Sequence, residues 1–460
     1  MSIVYTMTVP HPPLIIPEVG HGEEHGIQKT VDSYHAVMKK AASYHPDTVI
    51  IISPHSTMYA DYIHISPGKK AHGDFGSFRA GQVKISCNYD EEFVEHLCQL
   101  CDTHNISAGT LGGMRALDHG TMIPLYFLQR YDTDFKVVRI GISGLAYLEH
   151  YRLGQMINQT AEDLGRKVVI IASGDLSHKL KEDGPYGFAK EGPEFDQEVM
   201  TYLRTADFYK LLTFDYDFCE SAAECGLRSF QIMAGALDGK DVSPHQYSYE
   251  GPFGVGYGVC DFEVGPEDQE RLLGKKLEKH DEDVLKDIRA HEDPYVRLAR
   301  ATVESYIKAH KLPLVSDDLP EDMTNRKAGV FVSLHINGQL RGCIGTFKPT
   351  EKNIAVEIMH NAVSACSRDP RFYEVRPLEL PHIVYSVDVL GEIEKIDDIS
   401  ELDPQKYGVI VSHNEKRGLL LPRLPGVSTV LEQIDIARRK AGMYDDEPCD
   451  FYRFEVVRHV

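Results

Sequence analysis

The sequence predicts two domains, an N-terminal α/β domain with a central sheet flanked by helices and a smaller C-terminal α+β domain. Three observations lead to this prediction. The chain has 460 residues, which is too long for one ordinary core. Over residues 1–265, short β-branched runs alternate with stretches of helical periodicity, which is typical of an α/β sheet. A highly charged stretch, 266–289, then predicts a linker to a second domain, 290–460, which contains a hairpin signal.

The predicted elements follow from this periodicity in chain order. In the first domain the helices are expected at 25–42, 91–101 and 148–164, and the strands at 3–9, 48–52, 83–87, 136–142, 167–172, around 248 and at 255–262. In the second domain we expect helices at 294–310 and 428–441, a helix capped by Thr350 and stopped by Pro370, and strands at 329–335, 339–344, 383–389, 408–411 and 418–421. Asn337-Gly338 is the hairpin signal.

Composition excludes several classes of protein. The net charge is −21, and acidic residues outnumber basic ones on both sides of residue 265, so we expect no nucleic-acid or membrane-surface partner. No apolar run approaches the ~18 residues of a membrane span. The N-terminus lacks the basic region and cleavage site of a signal peptide, and the nine cysteines are odd in number and scattered. We therefore expect a cytoplasmic protein.

Three histidines each follow a predicted strand. His11 lies in VPHPP, His55 in SPHS and His178 in SGDLSH. Ligands of open α/β sheets bind beyond the carboxyl ends of the strands, so these side chains are expected to converge on one site. A single histidine beside a strand is usually structural, but three in the same position favour a functional role.

Further candidate ligands lie in two other motifs. Asp118 and His119 precede a glycine in a predicted loop, LDHGTMIPL, and Glu224 and Cys225 precede a predicted helix in ESAAECGLRSF. A helix N-terminus favours an anion and lowers the pKa of a thiol, so either Glu224 or Cys225 can supply an anionic metal ligand. Two imidazoles and one anion suit Fe(II) and also Zn(II), and the residue types leave both open.

These five motifs, in this order, resemble the LigB-type class III extradiol dioxygenases and most closely their Memo-like branch. The resemblance covers residues 1–265. It implies that His11 and His55 ligate the metal, that His178 is the catalytic acid/base, and that His119 contacts substrate. The dioxygenases use a glutamate as third ligand, which matches Glu224. Memo-like proteins have a cysteine there, which matches Cys225, and Asp175 in SGDLSH also fits the Memo-like branch better.

The second domain resembles the AMMECR-type domain through LRGCIGTF (340–347), ACSRDPRF (365–372) and GLLLP (418–422). Arg341, presented from a tight turn, is expected to bind a carboxylate or phosphate group. Cys343 is a candidate nucleophile, although a buried strand cysteine is the commoner explanation. The two domains together resemble a fusion of proteins B and A of the AmmeMemoRadiSam system, which implies a radical SAM partner.

The resemblance gives two functional hypotheses. The first is a non-haem Fe(II)-dependent extradiol dioxygenase-like oxidoreductase that cleaves a catechol-type aromatic with O2. The alternative is a Memo-like metal-binding or redox protein without ring cleavage, acting with a radical SAM partner. Zn(II)-dependent hydrolysis would use the same ligands and remains a third possibility.

Overall fold

The chain divides into two compact units. The computed structural model describes residues 2–113, 115–314, 318–336, 338–414, 416–424, 427, 429–443 and 448–460. One unit extends to Glu282 and the other begins at Asp283. The division falls inside a helix, Gly274–His291, so most of the predicted charged linker, 266–289, is helical. Its helix is charged on most sides, and Leu277 is its one buried residue.

The N-terminal unit is built on a mixed six-stranded sheet. The strands of the whole unit are, in chain order, β1 (Ile3–Val9), β2 (Thr48–Ile52), β3 (Ile63–His64), β4 (Lys70–Phe75), β5 (Ala80–Asn88), β6 (Ala108–Gly109), β7 (Lys136–Ile140), β8 (Val168–Ser173), β9 (Lys240–Glu250) and β10 (Tyr257–Glu267). Of these, β3 pairs with β6 and β4 with β5 outside the large sheet. The large sheet has the order β7-β2-β8-β1-β10-β9. The first four strands of that order run parallel, β10 runs antiparallel to β1, and β9 runs antiparallel to β10. The carboxyl ends of β1, β2 and β8 therefore meet at one edge.

Helices cover both faces of this sheet. The helices of this unit are α1 (Pro17–Gly20), α2 (Gln28–Ser43), α3 (Glu91–Thr103), α4 (His119–Leu128), α5 (Tyr147–Asp163), α6 (Glu191–Thr205), α7 (Phe208–Leu212), α8 (Tyr216–Ala222) and α9 (Leu227–Ala236), and α10 (Gly274–His291) begins in it and continues into the second unit. Alternate residues of β2 enter different cores: Ile50 packs with α3, α5, α6 and α9, and Ile51 packs with α2 and α4. Burial on both faces explains why β2 and β8 are continuous apolar runs.

The C-terminal unit contains two antiparallel sheets with helices. Its strands are β11 (Val330–Ile336), β12 (Gln339–Thr346), β13 (Ile383–Leu390), β14 (Glu394–Ile396), β15 (Gly408–His413), β16 (Lys416–Leu420), β17 (Asp450–Phe454) and β18 (Val456–His459). Its helices are α11 (Pro294–Ala309), α12 (Glu321–Asn325), α13 (Ile354–Ser367) and α14 (Val430–Lys440). The sheet orders are β12-β11-β13-β18 and β14-β17-β15-β16. The α/β plus α+β prediction is confirmed.

One predicted cap is wrong. The helix expected to be capped by Thr350 begins at Ile354, and its N-cap is Asn353, whose side chain accepts a hydrogen bond from the backbone of Val356. Thr350 instead donates its hydroxyl and backbone N–H to the carboxylate of Glu357, each at 2.8 Å. A buried carboxylate therefore competes successfully for this threonine. Asn337 and Ser428, used in the hairpin and helix predictions, lie outside the described residues.

Within the described residues, no helix is long and apolar enough to cross a membrane.

Candidate metal centre

Three side chains converge at the carboxyl edge of the large sheet. His11 follows β1, His55 follows β2, and Cys225 lies two residues before α9. One ligand atom from each lies within 4.8 Å of the others. The Nε2 atoms of His11 and His55 are 2.9 Å apart, and Cys225 Sγ is 3.6 Å from His11 Nε2. Three potential ligand atoms thus surround one point.

The orientation of His11 suits a metal ligand. Its Nδ1 is 3.0 Å from the hydroxyl of Ser173, which leaves Nε2 facing His55 and Cys225. Burial lowers the pKa of His11 well below its ordinary value, and the neighbouring His55 lowers it further. His11 is therefore neutral, which is the form in which imidazole binds a metal. Burial also lowers the pKa of His55, whose ring retains solvent access.

Asp175 ties two of these residues together. Its Oδ1 accepts a 2.6 Å hydrogen bond from the backbone N–H of His11, and its own backbone N–H donates to Cys225 Sγ at 3.3 Å. The Cys225 N–H in turn donates to the Asp175 carbonyl at 3.4 Å. Burial raises the pKa of Asp175 to about 6, although the hydrogen bond from His11 opposes this rise. Asp175 thus connects the loop after β8 to the loops that carry His11 and Cys225.

Glu224 is turned away from this cluster. Its Oε2 accepts a 2.6 Å hydrogen bond from the backbone of Leu227, so the carboxylate caps α9. Burial raises the pKa of Glu224 to about 7. The pKa of the Cys225 thiol is also raised, by burial and then by Asp175 and Glu224. The lowering expected at a helix N-terminus is therefore wrong for the metal-free thiol, because burial beside two carboxyl groups outweighs the helix dipole.

Asp118 and His119 belong to a helix start rather than to a loop. Asp118 caps α4, accepting from the N–H of Thr121 at 3.0 Å, and its other oxygen lies 2.6 Å from Arg139 Nη2. Burial opposes ionisation of Asp118, but Arg139 holds its pKa below the ordinary range. The His119 ring lies 4.1 Å from that of His55, and burial lowers its pKa to about 3. His119 therefore lines the same site as His55.

His178 lies on the loop after β8. Its backbone N–H donates to the carbonyl of Ala222 at 3.2 Å, and its ring meets the exposed ring of Tyr186 edge-on at 5.1 Å. Its Nδ1 is buried and makes no hydrogen bond within the described residues. His178 is close enough to His11 to contribute to the lowered pKa of that residue. The structure thus brings His178 to the same edge as the cluster.

Comparison with known proteins identifies the architecture. Residues 5–260 match the family described as the catalytic LigB subunit of aromatic ring-opening dioxygenase. The chain belongs to the LigB family. Residues 296–459 match the AMMECR1 family, so a LigB domain is followed by an AMMECR1 domain.

Relatives share this architecture or part of it. A protein of Clostridium acetobutylicum is 42% identical over 468 residues, covering 100% of this chain and 99% of the relative. A Thermotoga maritima protein is 49% identical over 170 residues, 36% of this chain and 98% of the relative. A crystal structure of a Pyrococcus horikoshii protein has 30% identity and a TM-score of 0.34, covering 36% of this chain and 88% of that one. None of these relatives carries a named activity.

The two candidates in the AMMECR1 domain are already engaged. Arg341 lies within β12 rather than in a tight turn, and its guanidinium pairs with the carboxylate of Glu379 at 2.7 Å. This ion pair occupies the guanidinium group that was expected to bind a carboxylate or phosphate ligand. Cys343 Sγ accepts a hydrogen bond from Ser333 at 3.2 Å, and burial raises the pKa of the thiol. A protonated thiol is a poor nucleophile.

Two supporting residues of the LigB domain were not anticipated from the sequence. Ser173 ends β8 and orients the ring of His11. Arg139 lies in β7 and is 2% exposed. The signal for Arg139 was a charged residue inside the apolar run KVVRI, because a buried arginine requires a partner. Ser173 had no comparable signal, because serine is common where strands end.

Proposed function

We propose that the LigB domain is a metal-dependent oxidoreductase centre in which His11, His55 and Cys225 hold one metal ion. The observation that carries the proposal is the convergence of their three ligand atoms within 4.8 Å. A neutral imidazole Nε2 that has no other role, a second imidazole open to solvent, and a thiol form a donor set that suits a divalent transition metal. A metal held by three protein ligands would have further coordination positions for substrate.

Iron(II) is the metal we propose, with zinc(II) as the alternative. The family description as a ring-opening dioxygenase supports iron(II). Zinc(II) also accepts histidine and cysteine ligands, and would support hydrolysis instead. When bound at a site with open positions, iron(II) supplies activation of O2 towards a catechol-type aromatic.

The surrounding residues support such a reaction. The buried, unpartnered Nδ1 of His178 is available to take a proton from a phenolic substrate and return it, which is the role of a general acid/base. The ring of His119, which packs against His55, would line the space in which a substrate approaches the metal. The hydrogen bonds of Asp175 to His11 and Cys225 hold both in place, so we assign Asp175 a positioning role.

Anaerobic loading followed by oxygen-uptake measurements tests the ring-cleavage proposal. The protein is loaded with iron(II), its metal content is measured, and a panel of catechols is supplied with O2. We expect uptake and a ring-opened product from at least one catechol, and a loss of both in His178→Gln at unchanged iron content. A fully loaded protein that consumes no O2 with any catechol contradicts ring cleavage.

A second candidate function is favoured by the third ligand. Glu224 is the expected third ligand of a ring-cleaving enzyme, yet its carboxylate caps α9, while Cys225 lies with the two histidines. A thiolate makes a softer site than a carboxylate. This supports a Memo-like metal-binding or redox role without ring cleavage, in which the protein acts with a radical SAM partner.

A matched pair of variants separates the two candidates. We expect Cys225→Ala to abolish stoichiometric metal binding. We expect Glu224→Ala to retain metal binding and to lower the free energy of unfolding by about 1 kcal/mol, because α9 loses the hydrogen bond at its first turn. Retained binding in Cys225→Ala and loss in Glu224→Ala would favour the glutamate-ligated dioxygenase. Co-purification of this chain with a radical SAM protein encoded beside it tests the partner, and the absence of a complex at micromolar concentrations would count against it.

A further inference from the structure

A buried carboxylate contacts the loop that carries His178. This loop follows β8, and each backbone N–H from Gly174 to Lys179 donates to a protein acceptor. Most of these acceptors are main-chain carbonyl oxygens, a hydroxyl or a thiol. The Ser177 N–H instead donates to Oδ1 of Asp196, at 2.7 Å. The residue immediately before His178 is therefore bound by a carboxylate from another part of the chain.

Asp196 reaches this loop from α6 and is 1% exposed. Its second oxygen, Oδ2, accepts a 2.7 Å hydrogen bond from the hydroxyl of Tyr249 on β9. Gly256 leaves room for the carboxylate, because a Cβ at this position would lie 2.0 Å from Oδ2. The Gly256 N–H also donates to the carbonyl of Ser177 at 2.8 Å. Ser177 is thus bound at both its N–H and its carbonyl.

Ser177 also connects this loop to the segment that carries Cys225. Its hydroxyl donates to the carbonyl of Ala222 at 2.8 Å, and the N–H of His178 donates to the same carbonyl at 3.2 Å. Ala222 ends α8, and Cys225 follows three residues later. Because Ser177 is bound at its N–H, hydroxyl and carbonyl, the backbone has little freedom to move the His178 ring relative to Cys225.

Stability alone does not account for a carboxylate at this position. Both groups that donate to Asp196, a backbone N–H and a phenol, are uncharged. Burial raises the pKa of Asp196 to about 7, although the hydrogen bonds from Tyr249 and Ser177 oppose this rise. The ionised form therefore costs the fold free energy at neutral pH. An apolar side chain of the same shape would avoid that cost, but it could not accept the Ser177 N–H.

We propose that Asp196 is a positioning residue, which fixes the backbone at Ser177 and thereby holds the His178 ring at the carboxyl edge of the sheet. This inference rests on the proposed function, in which His178 takes a proton from substrate and returns it. A catalytic group that is displaced by about 1 Å can lose about 100-fold in rate, so a fixed loop matters for that role. Asp196 itself transfers no proton to substrate.

Metal-free protein tests this role without any reaction. Hydrogen exchange of the segment 174–180 reports on its backbone, and carbethoxylation of His178 by diethyl pyrocarbonate, mapped by mass spectrometry against the exposed His45, reports on its ring. In Asp196→Leu we expect exchange of this segment about tenfold faster, because a buried hydrogen bond is lost, and faster modification of His178. Asp196→Asn keeps an acceptor for the Ser177 N–H, so both rates should stay near those of the wild type.

A second buried carboxylate provides the matched control. Asp90 lies at the amino end of β2, where it accepts from the Thr48 hydroxyl at 2.6 Å and from Arg166 at 3.3 Å. Asp90→Leu should lower the thermal midpoint and leave exchange of 174–180 and modification of His178 unchanged. Either leucine variant is replaced by the alanine variant if it does not fold. The proposal is overturned if the Asp196 variant keeps wild-type rates, or if the Asp90 variant raises them equally.

Oxygen uptake by the iron(II)-loaded protein separates this role from the proposed reaction. With a catechol that the wild type turns over, Asp196→Leu should lower kcat by about 100-fold at unchanged KM and iron content, and Asp196→Asn should recover most of it. An unchanged kcat in Asp196→Leu would overturn the positioning role. A wild type without turnover contradicts ring cleavage, whereas the exchange and modification rates still decide whether Asp196 holds His178.

Discussion

Replacing Arg139 by methionine should destabilise the LigB domain strongly. The arginine donates to Asp118 at 2.6 Å and to the carbonyl of Ala116 at 3.0 Å, and both ends of the ion pair are shielded from water. Methionine fills the volume but leaves the buried Asp118 carboxyl group without its cation, and among the described residues Ser53 and Thr121 are its remaining side-chain and helix-cap hydrogen-bond donors. Removing one partner of a buried pair costs about 3–5 kcal/mol.

Urea denaturation followed by circular dichroism measures this cost, because the chain contains no tryptophan to report by fluorescence. Arg152→Met is the matched control: its ion pairs are solvent-exposed, and their loss should cost less than about 1 kcal/mol. Adding Asp118→Asn to Arg139→Met should recover part of the stability, because the unpaired charge is then absent. Equal losses in Arg139→Met and Arg152→Met would refute the argument that burial makes this pair costly to break.

Three further predictions concern other buried contacts. Ser173→Ala should weaken metal binding about 10- to 100-fold in a chelator competition, because it frees the ring of His11, and an unchanged affinity would contradict that role. Burial raises the pKa of Asp196 to about 7, so the free energy of unfolding should fall as the pH rises from about 4 to about 7, and Asp196→Asn should flatten this fall in denaturation series. Gly235→Ala would place a Cβ 1.9 Å from the carbonyl of Tyr151, so its thermal midpoint should drop by several degrees, unlike that of an alanine at the open Gly165, whose cost comes only from its positive φ.

The main elements of both domains could be predicted from periodicity, because their cores impose strict patterns. The runs at 48–52 and 167–172 are buried on both faces and lie within one residue of β2 and β8. The helices α6, α7 and α8, between Glu191 and Ala222, were not predicted. The shortest of them contain few turns, so hydrophobic periodicity has too few repeats to be recognised.

The candidate site was accessible from the sequence only in part. His11, His55 and His178 were predicted together because parallel strands deliver their carboxyl ends to one edge. The choice between Glu224 and Cys225 depended on the direction of two adjacent side chains. That direction follows from the hydrogen bond of Glu224 to Leu227 and from the contacts of Cys225 with Asp175, which join residues 50 positions apart. Local patterns contain no information on such contacts.

The hydrogen bonds of Asp175 have a consequence for how the proposed metal would bind. They hold the backbone of His11 and the thiol of Cys225 through protein contacts alone, so little conformational entropy should be lost when the proposed metal binds. Chelation should therefore strip the metal without unfolding the domain, in contrast to zinc fingers, which fold only with their ion. A ligand set held in place by protein contacts can also accept one divalent ion in place of another, so we expect the metal bound at the proposed site to depend on the supply in the cell that made the protein.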